Sequence, residues 1–125
     1  MAGVIERFED FIAWQKARVL TSALYRVTGE GSFSRDFPLR DQIRGAAISI
    51  MSNIAEGFER GKPPEFHQFL CIAKGSCAEV RSQLYIALDA RHIDQAQFDH
   101  LLALAEEVGR LVGGLRLSVE RRRDG

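Results

Sequence analysis

Two short polar constellations hold most of the side chains that could do chemistry. Ser49, Asn53 and Glu56 are spaced by four and three, so one helix would carry them on one face. Ser76 and Glu79, with Lys74 and Arg81 close by, form a similar patch later in the chain. Glu56 and Glu79 could face each other across two helices. Two carboxylates alone specify neither a metal centre nor acid–base work. A di-metal carboxylate bundle needs inward Glu residues and a Glu-x-x-His on each of two further helices. The sequence contains no Glu-x-x-His. Asp89 and His92 have that spacing, but at a helix end and without a repeat, while His67 and His100 are isolated. They read as surface or cap residues. No phosphate loop, zinc spacing or nucleophile motif is present either. The expectation is a non-enzymatic chain with no metal and no cofactor. Ser49, Asn53, Glu56, Ser76 and Glu79 then have two open readings: an interhelical polar network that fixes register, or a partner surface. Gly75 would allow close backbone approach between those helices.

A second chemistry is phosphate contact. Arg40 and Arg44 are four apart and share a helix face; Lys74 joins them as a third cation whose position the sequence does not fix. Further basic candidates are Arg60, Lys62, Arg81, Arg110, Arg116 and Arg121 to Arg123. The overall charge does not help: 17 Lys and Arg balance 17 Asp and Glu. Long-range attraction to nucleic acid or anionic lipid is therefore absent, and only a local basic surface could serve.

The elements that must position these residues are helices. At 125 residues, with 46% apolar and 27% charged side chains, the chain is one ordinary folded domain. Helical period dominates, and no segment reads as a strand. Phe8, Phe11, Ile12, Val19, Leu20, Ala23, Leu24 and Val27 make the first stripe, widened by Trp14 and Tyr25, and Gly29 to Ser32 end it. Asp36 can cap a second helix with Pro38 in its first turn; Ile43, Ala47, Ile50, Ile54 and Phe58 form its stripe, and Pro63-Pro64 break it. The third stripe is Phe66, Leu70, Ala73, Cys77, Val80, Leu84 and Ala87. Ile72, Tyr85 and Leu88 lie off it and would cover a second face. Asp94 and Gln97 make a capping box, with Ile93 and Phe98 as its hydrophobic staple. The fourth stripe runs Phe98, Leu101, Ala105, Val108, Val112, Leu115 and Val119, weakened at Gly113-Gly114 and followed by a frayed basic tail from Arg121. Four such helices with short breaks predict an all-α, antiparallel up-down-up-down four-helix bundle over residues 1–125, with a frayed N-terminus.

Cys71 and Cys77 point to different sides of the third helix, about 240° apart, and read as two buried small apolar residues in a reducing cytoplasm. No apolar run reaches the roughly 18 residues that would span a bilayer, so no membrane partner is expected. Gly109 and Gly113 suggest close helix contact or a bend. Trp14 and Tyr85 are candidates for a contact between subunits.

The segments Phe11-Ile12-Ala13-Trp14-Gln15-Lys16-Ala17, Gln42 to Gly57 and Ile72 to Glu79 carry a further signal. Ser-Asn-x-x-Glu-Gly at residues 52–57 and Ala-Lys-Gly-Ser at residues 73–76 are a specific pair at this separation. In these segments the chain resembles the bacterial four-helix-bundle family called 23S rRNA intervening-sequence proteins. It is also similar to the accessory variability determinant proteins of diversity-generating retroelements. The resemblance implies a barrel-like homopentamer, and from the retroelement relatives a basic surface for RNA or DNA with a reverse transcriptase as partner. A protein-only structural adaptor is the alternative, and a carboxylate-bearing metal or small-ligand bundle enzyme the remote one. Gly45 stands where a second Arg after Arg44 is usual, so nucleic-acid binding is expected to be weak.

Overall fold

The computed structural model describes residues 4–124, with side chains through residue 122. Four helices make up the fold: α1 (Ile12–Thr28), α2 (Phe37–Glu59), α3 (Pro63–Asp89) and α4 (Gln95–Asp124). Each packs against the next, and α4 returns to α1, closing an up-down-up-down bundle. Short 3-10 turns occupy Phe8–Asp10 and Gly31–Arg35. Among the described residues there is no strand.

The predicted stripes form the core. Ile43, Ala47, Ile50 and Ile54 of α2, Leu70, Ala73, Val80, Leu84 and Ala87 of α3, and Ala105, Val108 and Val112 of α4 are fully buried. Each large aliphatic side chain among them stabilises the fold by about 1.5–3 kcal/mol through removal from water. The first stripe needs correction. Ala13, Ala17, Leu20 and Leu24 face the core, whereas Ile12 and Val19 are 59% and 50% exposed and Tyr25 also faces out. A stripe wide enough to include all of them exceeds the arc that two neighbouring helices cover.

The ends follow their chemistry. Asp36 Oδ1 accepts the Leu39 N–H at 3.3 Å and caps α2. Asp94 and Gln97 exchange the two bonds of a capping box, at 2.8 and 2.9 Å, with Ile93 and Phe98 buried beneath. Pro63 and Pro64 do more than break α2: they open α3, where a missing N–H costs nothing. α4 passes through Gly113-Gly114 and continues to Asp124, so Arg121 and Arg122 lie on its last turns rather than in a tail. Of the N-terminus that the sequence predicts to be frayed, residues 1–3 lie outside the described residues.

The close α2–α3 approach is at Gly57. A Cβ there would lie 2.7 Å from the Cβ of Phe69, while one at Gly75 would meet nothing within 4 Å. Cys77 is buried as expected, but Cys71 is exposed, its Sγ 3.9 Å from His67 Nδ1.

Candidate functional site

The phosphate-contact residues separate. Arg44 lies against α1: its Nε donates to Thr28 Oγ1 at 2.8 Å and its guanidinium stacks 4.4 Å from the centre of the Tyr25 ring. Arg40 donates to the Ser34 carbonyl at 3.1 Å and pairs with Asp41 at 3.0 Å. Arg44 therefore ties α2 to α1, and Arg40 ties α2 to the Gly31–Arg35 turn. Lys74 is not with them. It sits on α3 against α4, where its Nζ would be 3.2 Å from a Cβ added at Gly113.

Lys74 meets other cations there. It lines a groove of about 210 Å³ with Arg81 of α3 and Glu106, Gly109 and Arg110 of α4. Gly109 faces Cys77 across this seam, with 3.8 Å between an added Cβ and the Cys77 Cβ. The small residues bring α4 near enough for the three long cationic side chains to share one groove. Among the described residues, none of the three has an ion-pair partner within 4.0 Å. Cys77 lies under them: burial raises its thiol to about 11, while the charges of Lys74 and Arg81 pull the other way. The groove offers donors and positive charge suited to phosphate oxygens. Lys74 was singled out by its sequence segment; Arg81 and Arg110 were two of many basic residues, and only the α3–α4 register distinguishes them.

The polar constellation splits too. Ser49 Oγ and Ser76 Oγ lie 2.8 Å apart across the α2–α3 seam, and Asn53 Nδ2 donates to Ser49 Oγ at 3.0 Å. These three form a satisfied interhelical network, with Ser76 buried. Glu56 instead pairs with Arg60, just past the end of α2, at 3.1 Å, and Glu79 is exposed. Among the described residues no group of three or more His, Cys, Asp and Glu could hold a metal.

Trp14 and Tyr85 lie on opposite sides of α4. Trp14 is half-buried, edge-on to Phe8 at 5.3 Å, and lines an α1–α4 groove of about 520 Å³ with Val19, Ala23 and Leu104. Tyr85 is 53% exposed, its ring edge-on to Phe98 of α4 at 5.0 Å.

One arrangement was not anticipated. His92 Nε2 is 2.9 Å from Asp36 Oδ2, and its Nδ1 is 2.8 Å from Ser32 Oγ. The atoms are those of a nucleophile relay, but Asp36 and His92 each have a second structural contact. Asp36 caps α2, and the His92 ring stacks on the buried Phe33 at 5.1 Å. The array clasps the α1–α2 connection to the α3–α4 connection. Sequence spacing gave no sign of it, because His92 lies 56 residues from Asp36.

No helix among the described residues is long and apolar enough to cross a membrane. No curated protein matches the chain. A crystal structure of a protein of unknown function from the S23 ribosomal protein family of Bacteroides thetaiotaomicron VPI-5482 is similar in fold. It aligns with a TM-score of 0.77 at 18% identity, covering 84% of this chain and 95% of that one. Residues 9–114 match the family described as 23S rRNA-intervening sequence protein, a span that includes the polar network, the clasp and the cationic groove. The chain is therefore a member of the 23S rRNA-intervening sequence protein family.

Proposed function

We propose that this protein is a non-catalytic, homo-oligomeric interaction module that holds nucleic-acid phosphates in its α3–α4 groove. The observation that carries this reading is the convergence of Lys74, Arg81 and Arg110 on one groove with a single lining carboxylate, Glu106. Each neutral subunit would bind weakly. A ring would repeat the groove and raise the effective affinity. Two exposed apolar surfaces favour self-association. Ile12 and Val19 are exposed on α1, with Val19 lining the α1–α4 groove, while Ile72 and Ile86 are exposed on α3. Different surfaces on two sides of one subunit suit head-to-tail contacts, which close into rings. The resemblance to retroelement accessory proteins favours a pentamer, with a reverse transcriptase as one partner.

The test is fluorescence titration with duplex DNA, single-stranded DNA and structured RNA at several salt concentrations. Phosphate-led binding should weaken steadily as salt rises. A K74Q/R81Q/R110Q variant should lose most of the affinity and keep its assembly state. Arg44→Ala should leave affinity unchanged, because Arg44 is spent on Thr28 and Tyr25. Salt-insensitive binding, or equal affinity in the triple variant, would reject the groove. Light scattering after size exclusion tests assembly, and a constant mass near 14.0 kDa would defeat it.

A protein-only adaptor is the second reading. The α1–α4 groove favours it, since Trp14 and Leu104 offer an apolar seat for a partner. No binding to any of the three nucleic acids would move the assignment there.

A further inference from the structure

The opposite end of the bundle from the His92 clasp carries a pocket of different chemistry. α2 ends at Glu59, and the chain turns through Gly61, whose φ of +75° favours glycine. This turn sets Lys62 beside a pocket of about 260 Å³. Its wall is aromatic: Phe11, Phe58 and Phe66 meet with ring centres 5.2 to 5.9 Å apart. Leu115 and Val119 of α4, with Ile5 and Pro63, complete the apolar lining. The polar lining is one-sided. Lys62 and Arg122 are both exposed, neither has an ion-pair partner among the described residues, and no carboxylate lines the pocket. The first turn of α3 begins at Pro63, so the positive end of that helix adds to the same field.

We propose that this pocket binds a small aromatic carboxylate, its ring against Phe58 and Phe66 and its acid group toward Lys62 and Arg122. Size sets the class. An apolar cavity of about 150 Å³ already admits benzene. The pocket here has room for one ring and a short acid-bearing chain, and drug-sized ligands need more, at roughly 300–1,000 Å³. Charge sets the polarity, since an anion meets two cations and no competing acid. This site is separate from the α3–α4 groove and does not depend on the nucleic-acid reading.

The probe is 3-phenylpropanoate, titrated into the full chain by calorimetry, with the neutral 3-phenylpropanamide as its isosteric control. The acid should bind saturably, and the amide about tenfold more weakly. A K62A/R122A variant changes only exposed side chains. It should lose about tenfold in affinity for the acid and nothing for the amide. Intermolecular NOEs should place the probe ring on Phe58 and Phe66. The K74Q/R81Q/R110Q variant should bind the acid as the unmodified chain does, which separates this site from the groove. Absence of saturable binding, equal affinity for acid and amide, an unchanged K62A/R122A variant, or NOEs to other residues would each overturn the assignment.

Discussion

The imidazole Nε2 of His92 lies 2.9 Å from Oδ2 of Asp36, and that contact joins the two connections at one end of the bundle. Asp36 does two jobs at once: one oxygen meets His92, and the other caps α2 through the Leu39 N–H. Both interactions favour the carboxylate and hold its pKa below the ordinary 3.8, with the His92 hydrogen bond the larger cause. A depressed carboxyl pKa stabilises the fold above the unfolded-state value, and that contribution disappears as pH falls through the folded-state value.

Asp36→Asn should therefore destabilise the protein at neutral pH, and the difference from the unmodified chain should shrink as pH drops below about 3.8. Asn caps helices as well as Asp does, so the substitution isolates the His92 contact from the cap. Urea titrations of both proteins between pH 7 and pH 3 would check it. A pH-independent difference would mean that the charge of Asp36 is not what the clasp uses.

Gly57 should be the helical glycine least tolerant of a side chain. Gly57→Ala would set a Cβ 2.7 Å from the Phe69 Cβ and 3.0 Å from Phe66 Cδ1. We expect a net loss of about 1–3 kcal/mol from overpacking, despite the better helix propensity of Ala. Gly45→Ala meets nothing within 4 Å on an exposed face of α2 and should gain about 0.5–1 kcal/mol. Denaturant midpoints of the two variants should move in opposite directions.

The Ser49–Ser76 contact should show coupling. The two hydroxyls are 2.8 Å apart across the α2–α3 seam. Removing Ser49 takes the cross-seam partner from the buried Ser76 hydroxyl, whereas removing Ser76 leaves Ser49 its bond from Asn53. Each change should cost about 1 kcal/mol, and removing both should cost less than the sum. A double-mutant cycle of Ser49→Ala and Ser76→Ala measures this. Strict additivity would show that each hydroxyl finds other partners.

The bundle was legible because its core obeys a helical period that needs no knowledge of neighbours. Ile43, Ala47, Ile50 and Ile54 fix one face of α2 whatever packs on it, and the Asp94–Gln97 box closes within four residues. What depended on register across helices was not legible. Gly57 and Gly75 look alike in sequence, yet only Gly57 meets a neighbouring Cβ. Arg44 and Lys74 were grouped by type, but α1 holds one and α4 receives the other. Glu56 shares a helix face with Asn53, and its proximity to Arg60 draws it away from the polar network. The clasp joins two connections, where no periodicity links His92 to Asp36.

The two thiols should differ sharply in reactivity. Thiolate is the reacting species, so both access and pKa control the rate. Cys71 is exposed, whereas Cys77 is buried and its thiol is pushed up to about 11 by loss of solvent. Lys74 and Arg81 oppose that shift without cancelling it. Iodoacetamide at pH 8 should place one label on the folded protein, at Cys71, and two on the protein in denaturant, as mass spectrometry of intact and digested chains would show. The raised pKa also predicts an alkaline limb. Stability from the buried thiol is complete below about 9.0, the unfolded value, and is lost as pH rises from there toward 11. Labelling of Cys77 at pH 8 as fast as Cys71 would mean that the α3–α4 seam opens in the native protein, and the groove that Lys74, Arg81 and Arg110 line would open with it.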